Sequence, residues 1–155
     1  MENLNNILVY LFNNYPNSKE LSFSRVMKLL YLIDWKYSIT KYERLTDLNW
    51  ILNQFGPYNS SLLDIMDNSN DFEIKRIVNE ENKNIILINF LERGDYDLKA
   101  EAKRTIEFVI NHCNKMSWSE VNNLVNSTFP IIRGKINSEL NLLELAKEYK
   151  NIKRQ

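Results

Sequence analysis

The run SRVMKLLYLIDWKYSITKY, residues 24 to 42, decides the fold of this chain. Its apolar side chains point in nearly every direction around a helix, and they are Val26, Met27, Leu29, Leu30, Tyr31, Leu32, Ile33 and Trp35. A helix that is apolar on all sides is normally buried at the centre of a domain. With Ser22 or Ser24 as its N-cap, this run predicts a central helix on which the other elements pack.

The segments around this run predict a mostly helical fold with a small antiparallel sheet. Apolar spacing and capping signals indicate further helices at 4–12, 58–68, 97–113, 138–149 and from the Ser117–Glu120 capping box onward. The segment NWILNQF, residues 49–55, predicts a short strand. Residues 71–91 predict a hairpin whose second run, Ile85–Ile88, is the more buried strand. We therefore expect an α+β fold that forms a single domain over residues 1–155.

The charge and the apolar content argue against several classes of partner. Twenty basic side chains balance twenty acidic ones, so the chain as a whole is not attracted to nucleic acid or anionic lipid. No run of about 18 apolar residues is present, and the N-terminus lacks the basic start and apolar core of a signal peptide. One cysteine, Cys113, cannot form an internal disulfide. We predict a cytoplasmic protein that binds no membrane and for which nucleic acid is not the expected partner.

Residues able to carry out catalysis or to bind a metal are sparse. The only histidine, His112, adjoins Cys113, and adjacent helical residues point about 100° apart, which does not suit a base and its nucleophile. One acidic set recurs at helical spacing: Asp64, Asp67 and Asp71. This set either forms a solvated helix face or holds a hard cation. We predict no catalytic residue, no cofactor and no metal, and a small metal-dependent enzyme that uses Asp34 or the acidic set is an alternative.

The stretch NQFGPYNSSLLDIM, residues 53–66, contains Gly56 and Pro57 side by side, although the chain has only three glycines and three prolines. Proline disfavours the helical conformation in the residue before it, and glycine opens positive φ at that position. Pro57 suits the first turn of a helix, where a backbone N–H is not needed. We therefore predict that Gly56-Pro57 turns a strand sharply into a helix. Phe55 and Tyr58 then lie either in the core or on an edge offered to a partner.

Two blocks of the sequence together resemble a known family. In the first, KLLYLIDWKY, the matching residues are Lys28, Leu29, Leu30 and Tyr31. In the second, WILNQFGPYNSSLLDIM, they are Phe55, Gly56, Pro57 and Tyr58. Farther on, SWSEVNNLVNSTFPI resembles a later block, although Asn126 and Ser127 stand where a Thr-His pair is frequent. Over roughly residues 20–133 the chain is similar in this way to the Panacea antitoxin domain, the SocA-like family of bacterial toxin–antitoxin systems.

The resemblance implies protein binding without catalysis. Members of the family are similar to antitoxins that bind and neutralise a protein toxin encoded beside them, and some belong to prophages and other mobile elements. We therefore expect an antitoxin whose partner is a cognate protein toxin encoded nearby. One branch of the family hands its toxin to a cytoplasmic protease, so a proteolysis adaptor is the alternative, with that protease as a second partner.

The residues expected to bind the partner combine the matched blocks with aromatic side chains that can anchor an interface. They are Lys28, Tyr31, Asp34, Trp35, Trp50, Phe55, Gly56, Pro57, Tyr58 and Phe129, with Trp118 as a further aromatic candidate. Lys28 is expected to extend its ammonium group to water from the edge of the central helix. For Asp34 the sequence leaves two alternatives, a buried position and a solvent-exposed one.

Overall fold

The central helix is the element on which much of the fold packs. The computed structural model describes residues 1–92, 94 and 96–154. Helix α2 spans Phe23–Lys41, and the side chain of Ser22 caps it by accepting a hydrogen bond from the backbone N–H of Arg25. Its buried side chains include nearly every residue from Val26 to Ser38. The prediction of a buried central helix is confirmed.

The other helices of the described residues precede or follow this element. They are α1 (Leu4–Asn14), α3 (Leu62–Asp67), α4 (Ala100–Cys113), α5 (Trp118–Asn126), α6 (Phe129–Arg133) and α7 (Leu142–Lys153), with a short 3-10 helix at Ser18–Glu20. Helices α4, α5 and α7 contact α2, and α1 packs against α4. Their apolar sides meet in one cluster of buried side chains. Together with the small sheets described below, they confirm a mostly helical α+β fold.

A three-stranded antiparallel sheet lies beside the central helix. Its strands are β1 (Trp50–Asn53), β2 (Gly56–Tyr58) and β5 (Ser138–Leu140), and their order is β2-β1-β5. Strand β2 runs back along β1 with Leu52 opposite Pro57, while β5 places Leu140 opposite Trp50. The side chains of Trp50 and Leu52 on the middle strand are buried, so this sheet presents one face to the core.

The prediction that Gly56-Pro57 leads directly into a helix is wrong. Asn53 pairs with Gly56 across a two-residue loop, so the Gly-Pro pair begins strand β2 of a β-hairpin. Pro57 is tolerated there because β2 is an edge strand of its sheet. Helix α3 begins only at Leu62, after a turn in which the Asn59 side chain accepts a hydrogen bond from the backbone N–H of Ser61.

The last helix also begins later than predicted. Residues Ser138–Leu140 form β5, so α7 begins at Leu142 and continues to Lys153. Strand β1 provides backbone hydrogen-bond partners for these three residues. In the first turn of a helix their backbone N–H groups would have no partner within the helix. Asn141 then caps α7, because its side chain accepts a hydrogen bond from the backbone N–H of Glu144.

A separate two-stranded sheet occupies the predicted hairpin region. Strands β3 (Phe72–Val78) and β4 (Asn84–Phe90) pair antiparallel over their full lengths. Ile85, Ile86 and Ile88 are half-buried and Leu87 is exposed, whereas β3 beyond Phe72 is exposed except at Ile74. The second run is therefore the more buried one over most of its length, as predicted, although it is not fully buried. The buried residue of the hairpin is Phe72, at the start of the first strand. A two-stranded ribbon has few neighbours, so only the end that touches the rest of the chain becomes buried.

Ser117 and Ser61 each stand three residues before an acidic residue, which is the spacing of a capping signal, and the structure gives the two serines different outcomes. The hydroxyl of Ser117 accepts a hydrogen bond from the backbone N–H of Glu120, and the Glu120 carboxylate accepts one from the N–H of Ser117. This reciprocal pair is the predicted capping box at the start of α5. Ser61 precedes α3 but its side chain makes no capping hydrogen bond.

Candidate functional site

The residues predicted to bind a partner differ in how far they reach the surface. Four lie in the core: Tyr31, Asp34, Trp35 and Trp50. Lys28 is buried beneath the β1–β2 hairpin, Gly56 and Pro57 are buried within it, and Phe129 is half-buried. Two are exposed on the hairpin, Phe55 and Tyr58. The structure therefore brings part of the predicted set together at the hairpin, whereas the other residues lie in the core or are half-buried.

A groove of about 320 Å³ lies beside the hairpin, and we call it the aromatic groove. It is lined by Phe23, Ser24, Met27, Lys28, Asn53, Phe55, Pro57, Tyr58 and Trp118. Three of its rings project to solvent, with exposed fractions of 77% for Phe55, 45% for Trp118 and 41% for Tyr58. The hairpin and the first turns of α2 and α5 thus form one surface.

The local sequence places three of the four aromatic rings of the aromatic groove. The side chain of Asn53 accepts a hydrogen bond of 2.8 Å from the backbone N–H of Phe55, which fixes the hairpin loop. Phe23 and Trp118 each follow directly on the N-cap residue of a helix. Because helical side chains lean toward the N-terminus, a ring in the first turn projects toward the end of its helix. Both helix starts therefore offer an aromatic ring at the same edge.

Lys28 is buried beneath the hairpin, and the expectation that it extends to water is wrong. Its side chain is 6% exposed, and Nζ donates a hydrogen bond of 2.5 Å to the backbone carbonyl of Phe55. Burial lowers the pKa of Lys28, because desolvation disfavours the charged form. Among the described residues, no ion pair includes Lys28. An ammonium group has three donors, so this cation can still bind another acceptor.

Gly56 permits the close approach of Lys28 to the hairpin. Its φ of 111° is one that side-chain-bearing residues rarely adopt, as the sequence predicted. A Cβ at this position would collide with the Nζ of Lys28. The two sequence blocks that carry the family resemblance are therefore joined in space, since Lys28 of the first block holds the loop of the second.

Asp34 is buried, which settles the alternative that the sequence left open. It is 5% exposed, and its Oδ2 accepts hydrogen bonds from the Thr46 hydroxyl at 2.6 Å and the Trp50 indole N–H at 2.8 Å. Burial raises the pKa of Asp34 to about 6, although both hydrogen bonds, the charge of Arg44 and the nearby Thr46 backbone lower it. Asp34 thereby fixes the loop that connects α2 to β1.

The remaining core residues of the predicted set support the sheet and α7. The Tyr31 hydroxyl lies 2.7 Å from that of Thr128, and the Tyr31 ring packs edge-on against Trp50 with centroids 5.8 Å apart. The rings of Trp35 and Phe129 both pack against Tyr149, at centroid distances of 5.8 and 5.3 Å. In this conformation these rings reinforce the scaffold, and a direct contact with a partner stays a prediction.

The candidates for metal binding and nucleophilic chemistry do not converge. Within the described ranges, no group of three or more His, Cys, Asp or Glu residues could hold a metal ion. Asp67 pairs with Arg76 at 3.3 Å, and Asp71 accepts a hydrogen bond from Asn5. Cys113 is buried, and burial raises its pKa, which disfavours the nucleophilic thiolate.

The predicted partner-binding residues leave out four residues that line the aromatic groove, namely Phe23, Ser24, Met27 and Asn53. Phe23 receives no role from the sequence, and Met27 is predicted only as a core residue, which it also is. A signal for Phe23 does exist in the chain. An aromatic residue directly follows an N-cap serine at Ser22-Phe23 and again at Ser117-Trp118, and both rings line the groove.

Comparison with known proteins gives a match at the level of the family. The model of the family described as "Antitoxin SocA-like, Panacea domain" matches residues 26–128, well over half of the chain. The matched range includes both blocks that meet at Lys28 and Phe55. No curated protein and no solved structure matches the chain. None of the described helices has the length and apolar content needed to cross a lipid bilayer.

Proposed function

The chain belongs to the SocA-like antitoxin family, the Panacea domain family, and on that basis we propose that it neutralises a cognate protein toxin by binding it directly. The toxin would be a protein encoded nearby in a bacterial genome, on a prophage or another mobile element. Both proteins would act in the cytoplasm. We assign the binding surface to the aromatic groove.

The exposed rings around the groove are the observation that supports this assignment. Phe55, Tyr58 and Trp118 are large side chains that remain substantially in water although the chain has a core able to bury such rings. Large aromatic side chains supply most of the binding energy at many protein interfaces. Clustered exposed apolar groups also mark interaction surfaces more often than isolated ones do.

The rigidity of the groove also favours binding. The hairpin loop is held by the Asn53 and Lys28 hydrogen bonds to the backbone of Phe55, and Trp118 stands on a helix that begins with a full capping box. Side chains that are already ordered before binding lose less conformational entropy when the complex forms. A partner would therefore meet a surface that is largely preformed.

The charge below the rings indicates what kind of segment fits. Lys28 is the charged residue in the lining of the aromatic groove, and its ammonium has donors beyond the one used by Phe55. An apolar segment of the toxin that also presents a carboxylate or a backbone carbonyl would satisfy both the rings and this cation.

Loss of the Phe55 ring tests the assignment. We expect Phe55→Ala to raise the Kd for the toxin by about 30-fold or more, because truncation of a central aromatic anchor typically costs about 2 kcal/mol or more. The toxin is the product of the neighbouring gene, the complex is isolated by size exclusion after co-expression, and the Kd is measured by titration calorimetry. The same variant should fail to rescue cells from the toxin.

Phe108→Ala provides the matched control. Phe108 is 49% exposed on α4, outside the aromatic groove, and its loss should leave the Kd and the rescue unchanged. If Phe55→Ala and Phe108→Ala change the Kd equally, the aromatic groove is not the binding surface. If no neighbouring product is toxic and none forms a complex with this chain, the antitoxin proposal itself fails.

The half-life of the toxin separates direct neutralisation from delivery to a protease. If binding alone neutralises the toxin, deletion of the cytoplasmic unfoldase–protease leaves both the toxin half-life and the rescue unchanged. A toxin that accumulates in the deletion strain only when this chain is present would instead establish the adaptor function.

A further inference from the structure

The ribbon formed by β3 and β4 exposes apolar side chains on both of its faces. At its base, the rings of Phe72 and Phe90 pack against Phe12 of α1, with centroid distances of 5.0 and 5.5 Å. Farther along the ribbon, the exposed apolar residues are Ile77, Val78 and Leu87. Side chains alternate between the faces of a strand, so Val78 shares the face of Phe72 while Leu87 lies on the opposite face. The far half of the ribbon therefore has apolar groups in water on either side.

The outer edge of β4 carries backbone groups without a partner strand. The backbone N–H of Leu91 donates to the carbonyl of Asp71, and that of Asn79 donates to the carbonyl of Lys83. Because hydrogen-bonded pairs alternate in an antiparallel ladder, the odd-numbered residues of β4 direct their N–H and C=O groups toward β3. The residues that direct theirs away from β3 are Asn84, Ile86, Ile88 and Phe90. In the described part of the chain, no backbone group outside the ribbon is hydrogen-bonded to this edge, so a further strand can pair there.

Strand β4 lacks the features by which edge strands usually avoid such pairing. Charged side chains and proline commonly protect an exposed edge, and the sequence of β4, NIILINF, contains neither. The sequence of β3, FEIKRIV, contains one acidic and two basic residues. The edge of β3 is also flanked by α3, to which Arg76 is linked through its ion pair with Asp67. The edge that is open to a partner is therefore that of β4.

The distribution of charge favours a second copy of this chain as that partner. Two copies of β3 would each bring one more cation than anion to the pairing, whereas two copies of β4 bring no charge in any register, and like charges on paired strands are destabilising. The formal net charge of the chain is zero, so two copies do not repel each other at long range. A two-stranded ribbon is also marginally stable, and additional strands stabilise it.

We propose that two copies of this chain form a dimer through β4. The outer edges of the two β4 strands pair antiparallel about a twofold axis near Ile86 and Leu87, and the result is a four-stranded sheet of order β3-β4-β4-β3. Such an interface uses the same surface of both copies. The pairing satisfies the outward backbone groups of β4 and removes part of the Leu87 side chain from water. No residue of β4 lines the aromatic groove, so the dimer and the proposed toxin-binding surface share none of these residues.

Amide hydrogen exchange of the ¹⁵N-labelled chain, followed by NMR, tests the pairing without any substitution. The backbone N–H groups of Ile86 and Ile88 point outward from β4, and those of Arg76 and Val78 point outward from β3. In a sample of about 1 mM, we expect exchange at Ile86 and Ile88 to be at least about tenfold slower than at Arg76 and Val78, because only the first two are hydrogen-bonded in the dimer.

A matched pair of substitutions tests which strand forms the interface. Leu87→Lys should raise the dissociation constant of the dimer at least about tenfold, because it removes apolar contact and brings two ammonium groups close to the axis. Ile77→Lys is the control, since Ile77 is 43% exposed against 46% for Leu87 and lies on the same face but on β3. It should change the dissociation constant by no more than about twofold. Sedimentation equilibrium of the isolated chain gives both values, and circular dichroism shows whether each variant is folded.

Several results would overturn the proposal. One is a chain that stays monomeric up to about 1 mM, and another is a dimer that responds equally to the two substitutions. Exchange at Ile86 and Ile88 as fast as at Arg76 and Val78 would also contradict it. If the unaltered chain is monomeric and Leu87→Lys instead weakens binding of the toxin, the edge of β4 pairs with another polypeptide and not with a second copy. The exchange experiment decides the question even if Leu87→Lys does not fold.

Discussion

At the scale of single residues, two buried charges shape the neighbourhood of the sheet. Lys28 binds the hairpin loop through Phe55, and Asp34 binds the loop before β1 through Thr46 and the middle strand through Trp50. Both residues belong to the central helix and lie on segments that are otherwise apolar. Each charged side chain therefore connects α2 to a neighbouring segment by hydrogen bonds, in addition to the apolar contacts of the helix.

The buried Asp34 should make stability depend on pH. The pKa of Asp34 is raised from 3.8 to about 6 in the folded chain, so the folded state binds this proton more tightly than the unfolded state does. The free energy of unfolding should therefore decrease as pH rises from about 3 to about 7 and then level off. A shift of about two pH units corresponds to a loss of about 3 kcal/mol.

Asp34→Asn isolates this contribution. Urea denaturation at several pH values gives the free energy of unfolding of the unaltered chain and of the variant. The difference between the two curves should change by about 3 kcal/mol between about pH 3 and about pH 7, since the variant keeps every other titrating group. A difference that is constant across this range would contradict the raised pKa of Asp34.

Gly56→Ala tests the close approach of Lys28. The substitution should lower the free energy of unfolding by about 1–3 kcal/mol, because alanine is strained at a φ of 111° and its Cβ would displace the Lys28 ammonium. Gln54→Ala, at an exposed position of the same loop, should stay within about 0.5 kcal/mol of the unaltered chain. Chemical denaturation measures both, and similar losses for the two variants would refute the argument.

At the scale of elements, capping and edge pairing explain where helices and strands begin. Ser117 and Asn141 fix the starts of α5 and α7 through hydrogen bonds to the third residue that follows. At Pro57–Tyr58 and at Ser138–Leu140, residues that the local sequence pattern assigns to the start of a helix pair with β1 instead. The backbone N–H and C=O groups of residues before a helix can therefore pair with a neighbouring strand, and the helix then begins later.

Ser117 and Ser61, the serines directly before α5 and α3, give a matched pair of substitutions. Ser117→Ala should cost about 1 kcal/mol of stability, as losses of N-cap hydrogen bonds usually do. Ser61→Ala removes the same hydroxyl from a serine that makes no capping bond, so its effect should lie within about 0.5 kcal/mol. Thermal and urea unfolding of both variants would show this difference, and a larger loss for Ser61→Ala would contradict the assigned helix starts.

At the scale of the whole molecule, one arginine links distant parts of the chain. Arg25, in the first turn of α2, donates from Nε to the Tyr15 hydroxyl and from Nη2 to the backbone carbonyls of Cys113 and Met116. These bonds join the residue after α1 to the connection between α4 and α5. The helix start that carries Phe23 of the aromatic groove is thereby tied to the segment that precedes Trp118.

Arg25→Met should therefore destabilise the whole fold. It leaves a hydroxyl and two carbonyls without their donor, and we expect a loss of about 2–3 kcal/mol. Arg133→Met is the control, because Arg133 pairs with Glu148 on the surface with more than half of its own side chain exposed, and such pairs contribute about 0–1 kcal/mol. If differential scanning calorimetry gives equal melting temperatures for the two variants, the linking role of Arg25 is wrong.

The buried central helix, the mostly helical α+β class, the capping box at Ser117 and the family can all be predicted from the amino-acid sequence. Each of these depends on residues close together in the chain, or on two blocks with a recognisable spacing. The hairpin at Gly56-Pro57, the pairing of Ser138–Leu140 with β1 and the burial of Lys28 and Asp34 arise instead from the three-dimensional fold. These outcomes depend on partners many residues away, such as Phe55 for Lys28 and Trp50 for Asp34. A local pattern fixes what a segment prefers, whereas burial and strand pairing depend on what the folded chain places beside it.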